Sequence, residues 1–107
     1  MENPWAGEVS LVLDGERRVM KLTLGALAEL EASLGEGSLV DLTRRFEDGG
    51  HSARDVMALI VAGLRGGGWL CSEVDLLSAE IEGGLSEASR AAALLLLRAF
   101  VPIDEQS

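Results

Sequence analysis

A chain of 107 residues, 48% of them apolar, has the length for one modest core and is too apolar for a disordered tail. Its 18 acidic residues against 9 basic ones leave a net charge of −9. Nucleic-acid binding rests on neutralising phosphates, so this balance excludes DNA or RNA as the main partner and suits a soluble protein or one that meets a basic surface.

Met1 to Ala6 reads as a short lead-in without the basic and apolar regions of a secretory signal. Trp5 in this lead-in covers one end of the core or, on the sharper reading, meets a partner. From Gly7 to Leu24 the pattern is that of a β-hairpin. Val9, Leu11 and Leu13 alternate with Glu8, Ser10 and Val12, and Met20, Leu22 and Leu24 alternate on the way back. Asp14-Gly15 supplies the turn. A two-residue turn sets Leu11 opposite Arg18. A loop of Asp14 to Arg17 sets Leu11 opposite Met20 and is preferred here because it pairs apolar residues directly. Two strands alone are marginal in water, so the apolar face is expected to lie on helices, with its edges open to a partner strand.

Thr23 is placed to cap a helix carrying Leu27, Leu30 and Leu34, which Gly35 ends. Three Ser-x-x-Asp signals follow, at Ser38–Asp41, Ser52–Asp55 and Ser72–Asp75, each the pattern of a helix start. They predict helices from Leu39 to Glu47, Ala53 to Arg65 and Glu73 to Glu82. In the first of these Arg44 and Arg45 look outward. The second is apolar over most of its circumference and is expected to be central, with Gly66-Gly67-Gly68 as its stop. In the third, Val74, Leu77 and Ile81 form the apolar stripe. Trp69-Leu70-Cys71 is a short apolar connector, and Gly83-Gly84 a break. A last helix, from Ser86 or Glu87 to Val101, is apolar nearly all round and forms the other central element. Pro102 ends it, and 102–107 is a loose tail. The expected class is α+β: one domain over 1–107, with an antiparallel hairpin at 7–24 packed on four to five short helices in 25–101. The longest apolar runs, Val56 to Leu64 and Ala91 to Leu97, fall short of the ~20 residues of a membrane span, so no membrane contact is expected.

Residues with catalytic chemistry are sparse. His51 sits in a Gly-Gly-His-Ser loop with no nucleophile elbow in the chain, and reads as a surface-loop histidine. Cys71 has no second cysteine for a disulfide, a metal site or a redox pair, which points to a buried, inert thiol and a cytosolic setting. Gly66-Gly67-Gly68 follows a helix and lacks a Gly-Lys-Ser/Thr continuation, so it is no phosphate loop. The carboxylate pairs Glu29/Glu31, Glu73/Asp75 and Glu80/Glu82 have a spacing that points them apart on a helix. No catalytic, cofactor or metal residue is assigned, and the chain is expected not to be an enzyme. Val12 and Val19, on the outer hairpin face, fit ordinary strand composition and a partner contact equally. With Trp5 and Trp69 they are the candidate partner-binding residues.

The run LTLGALAELEASLG after a GEV-L-LDG hairpin, then SARDVMALIVAGLRGGG, then an E-GG break before an Ala/Leu-rich final helix, resembles the small gene transfer agent proteins of the phage tail assembly chaperone class. The resemblance covers about residues 3 to 101. It implies a non-enzymatic role in tail morphogenesis in a bacterial cytoplasm. The implied partners are the tape measure protein, which such chaperones coat, and the tail tube protein, which they help recruit. Related proteins are also described as tail tube proteins, so a structural component retained in the particle is the alternative. Homo-oligomerisation stays open.

Overall fold

The computed structural model describes residues 7–34, 39–69 and 72–100. Two strands, β1 (Glu8–Leu13) and β2 (Glu16–Lys21), form an antiparallel hairpin. Among the described residues five helices follow: α1 (Leu24–Ser33), α2 (Leu39–Asp48), α3 (Ala53–Gly66), α4 (Glu73–Leu77) and α5 (Gly84–Phe100). This is the α+β architecture expected from the residue pattern.

The hairpin register differs from the preferred one. Leu13 pairs with Glu16, Leu11 with Arg18 and Val9 with Met20, so the turn is the two residues Asp14-Gly15. Both have positive φ, 52° and 81°. A two-residue turn of that kind matches the right-handed twist of the strands, and Asp-Gly is well suited to it. Turn chemistry therefore outweighs direct apolar pairing. Its consequence is that Arg18 shares the inner face with Val9, Leu11, Leu13 and Met20.

Thr23 caps α1, its hydroxyl accepting from the Ala26 N–H at 3.1 Å. Ser52 and Ser72 each form a complete capping box with the Asp three residues on. Ser38, Gly35 and Cys71 lie outside the described residues, as does the tail at 102–107. α3 is the central helix, with Val56, Leu59, Ile60, Ala62, Gly63 and Leu64 buried. It lies against the inner hairpin face, α1 and α5. α5 starts earlier than expected, at Gly84, and buries one face through Ala88, Ala91, Ala92, Leu95 and Leu96. Leu97 stays exposed, so the helix is not enclosed all round.

Three glycines set how closely α3 packs. A Cβ on Gly63 would lie 2.8 Å from Leu95 Cδ1 and 3.1 Å from Met20 Cβ. A Cβ on Gly66 would lie 1.9 Å from the Lys21 carbonyl oxygen, and one on Gly67 2.2 Å from that of Val19. The end of α3 thus runs directly along the outer edge of β2. The glycine run stops the helix, as expected, and also provides this close approach.

Two expectations about helical faces are corrected. Arg45 does not look outward. It makes a bidentate pair with Asp55, at 2.9 and 3.0 Å, joining the last turn of α2 to the first of α3. The stripe Val74, Leu77, Ile81 does not form. α4 ends at Leu77, Leu76 is the residue that buries (5% exposed), and Val74 and Leu77 are 73% and 69% exposed. Beyond α4 the helix does not resume, and Ile81 forms an isolated antiparallel bridge with Leu13. Replacing Val74 or Leu77 by Ser is expected to change stability by less than ~0.5 kcal/mol, whereas Leu76→Ser costs about 2 kcal/mol or more. Urea midpoints of the three variants test this ordering.

Candidate partner-binding surface

The hairpin's outer face carries Glu8, Ser10 and Val12 on β1 and Arg17, Val19 and Lys21 on β2. Val12 stands opposite Arg17, and Ser10 opposite Val19. Val12 and Val19 are half-buried, and Arg17 is exposed. The face is therefore apolar at its middle and cationic along β2, in a chain that is otherwise strongly acidic.

The edges of this hairpin are not open, contrary to expectation. Along β2 lie Gly66, Gly67 and Trp69. The Trp69 indole N–H donates to the Val19 carbonyl at 3.1 Å. The Arg18 guanidinium sits 4.2 Å from the Trp69 ring centroid, and Arg18 also pairs with Glu16 at 2.7 Å. Such stacking explains how an arginine is tolerated on the inner face: its charge meets a ring face and a carboxylate while its stem lies on apolar surface. Along β1 lies the segment Glu80–Glu82. The Asp14 N–H donates to the Glu80 carbonyl at 2.7 Å, and the Glu82 N–H donates to the Val12 carbonyl at 3.1 Å. The Asp14 carboxylate accepts from the Glu80 N–H at 2.9 Å. At the start of the strand the Arg98 guanidinium donates to the Glu8 carbonyl at 2.6 Å.

Structure and sequence reading meet on Trp69 and Val19, which are in direct contact through the indole. Val12 is on the same outer face as Val19 but on the other strand. Trp5 lies outside the described residues. Trp69 is 37% exposed and stands between two open grooves. One, of about 280 Å³, is lined by Thr23, Ala26, Glu29, Arg65 and Gly66 among others. The second, of about 200 Å³, is lined by Leu13, Asp14, Arg18, Leu64 and Leu76 among others. In the first, Arg65 pairs with Glu29 at 3.0 Å at the surface. Removing the indole by Trp69→Ala is expected to cost about 1 kcal/mol through lost stacking and the lost hydrogen bond. An unchanged melting temperature would show that the ring contributes nothing to holding the edge.

The other titratable groups have structural roles. Burial pushes the Asp55 carboxyl up, but the Arg45 guanidinium, the Ser52 N–H and the Ser52 hydroxyl outweigh it and hold the group below its ordinary range. The Asp55 carboxylate in turn raises Arg45 above its usual value. His51 is half-buried rather than a plain surface residue. Its ring stacks on Phe46 at 4.1 Å, nearly parallel, and its Nδ1 has no partner among the described residues. This stacking is not legible in local spacing, because the two rings come from different sides of the α2–α3 turn. Among the described residues no group of three or more His, Cys, Asp or Glu is placed to hold a metal. No described helix is long and apolar enough to cross a membrane.

Among known protein families, the model described as phage tail tube protein, GTA-gp10, matches residues 6–101. No curated protein and no solved structure matches the chain.

Proposed function

Because the chain belongs to the phage tail tube protein, GTA-gp10, family, we propose that it is a non-enzymatic structural component of a gene transfer agent or phage-like tail, retained in the particle. The family match, which spans the whole described fold, carries this reading. It supports contact with other tail proteins and gives no support to the chaperone class expected from the resemblance. The residues proposed to meet those neighbours are Val12 and Val19 on the outer hairpin face and Trp69 beside it. An apolar centre with a cationic border at Arg17 and Lys21 suits an acidic neighbour. The setting of synthesis is a bacterial cytoplasm.

A second reading is an assembly factor that binds the tape measure protein and the tail tube protein and leaves before the tail is complete. One observation favours it: both hairpin edges are occupied within the chain, as suits a subunit that stays soluble and separate. Fractionating a particle-producing culture separates the two. A retained component sediments with purified particles and resists a high-salt wash. An assembly factor stays in the soluble fraction with unassembled tape measure protein.

A further inference from the structure

The segment after α4 has an unusual position for a stretch with helical spacing. Instead of continuing the helix, Glu80–Glu82 lies across the outer edge of β1 and satisfies the Val12 carbonyl and the Asp14 N–H. It has the chemistry of a third strand but the hold of a strap: two backbone hydrogen bonds and the one from Glu80 N–H to the Asp14 carboxylate. Before it stands α4, whose five residues are far too few for a helix to persist alone and which is anchored by the burial of Leu76. After it stand Gly83 and Gly84, both at positive φ, 88° and 66°. α4 itself leaves Val74 and Leu77 exposed. The strap is tethered at both ends and lightly held between them, and the helix before it carries apolar side chains that the chain leaves exposed.

An edge that fits this strap fits the identical strap of another copy. Exchange between copies keeps every strap contact and adds cover for exposed apolar residues; the opposing term is the entropy of association. We infer that the outer edge of β1 is an assembly edge, closed in the free chain by its own Glu80–Glu82 and taken in the assembled state by Glu80–Glu82 of a second copy. Passed from copy to copy, such a contact is heterologous and builds rings or open filaments rather than a closed dimer. The inference rests on the reading of the chain as a subunit retained in the tail.

Residues 13 and 81 give the test, because they face each other as an antiparallel pair of the close, non-hydrogen-bonded kind. In a Cys71→Ser background, Leu13→Cys and Ile81→Cys are made in separate chains, mixed at high concentration and oxidised. Strap exchange produces a disulfide-linked heterodimer well above the homodimers that each variant forms alone. No excess of heterodimer overturns the inference. A second variant leaves the strap and the edge untouched. Gly83→Val disfavours the closed turn, since its φ is positive and its Cβ would meet that of Glu87 at 2.6 Å. It is expected to convert a largely monomeric chain into larger species by sedimentation. Adding Glu82→Pro, which removes the N–H given to Val12, returns it to monomer. A Gly83→Val chain that stays monomeric also overturns the inference. Both readouts use the purified chain alone, so they fail separately from the retained-subunit reading, which is decided by what particles contain.

Discussion

Gly66→Val is expected to destabilise the protein by about 4 kcal/mol, at the upper end for a single substitution. The reason is the position of its Cβ, 1.9 Å from a backbone carbonyl oxygen of Lys21. A flexible side chain in that place would swing aside, but a strand carbonyl cannot move without taking the hairpin with it. The end of α3 would have to lift off β2. That withdraws the cover from Met20, which is fully buried, and pulls Trp69 away from the Val19 carbonyl. Gly25 provides the contrasting case. It is exposed within α1, and the nearest atom to its Cβ would be Thr23 Oγ1 at 3.9 Å. Gly25→Ala is therefore expected to stabilise by about 0.5 kcal/mol through helix propensity and lower unfolded-state entropy. Thermal melts of the two variants measure the difference. Similar melts for both would mean that α3 does not run along the strand edge as described.

The second large effect is at Asp55, 8% exposed and held by several hydrogen bonds. It accepts from Nε and Nη2 of Arg45 and from the Ser52 N–H, while the Ser52 hydroxyl accepts from the Asp55 N–H at 3.1 Å. Asp55→Ala removes half a capping box, which costs about 1 kcal/mol. It also strands the Arg45 guanidinium at the α2–α3 junction. That side chain is 37% exposed, so water replaces part of what is lost. The total expected is about 3 kcal/mol, less than for a fully buried pair. The pH dependence follows from the same bonds. A carboxyl held below its unfolded pKa stabilises the fold above that value, about 4, and this stability is lost as pH falls through the folded value. Acid unfolding of the parent should therefore include a component below about pH 4 that Asp55→Asn lacks. An identical acid limb in both would show that Asp55 is not the group responsible.

Much of this architecture was legible in local chemistry. Asp14-Gly15 marked the turn, Thr23, Ser52 and Ser72 marked helix starts, and the near-continuous apolar run from Val56 to Leu64 marked the central helix. What escaped was decided by contacts between elements distant in sequence. Direct apolar pairing favoured the wrong register because nothing local told that Trp69 would accommodate Arg18 on the inner face. Ile81 continued a helical spacing from Val74 and Leu77, yet the outward groups of Val12 and Asp14 captured the backbone around it. Arg45 looked like solvent charge until Asp55 came within reach, and the glycines after Leu64 looked like a stop signal alone. The candidate surface shows the same division. Val12 and Val19 could be placed on one face by alternation, whereas the occupied edges on either side of them could not be foreseen.

On the reading proposed above, this chain remains part of a tail. Its copy number per purified particle, measured by mass spectrometry against labelled peptide standards, is the decisive measurement. A retained subunit gives a fixed, whole-number ratio to the other tail proteins, reproducible between preparations. Particles that carry the other tail proteins but none of this chain would contradict it and leave the departing assembly factor in its place.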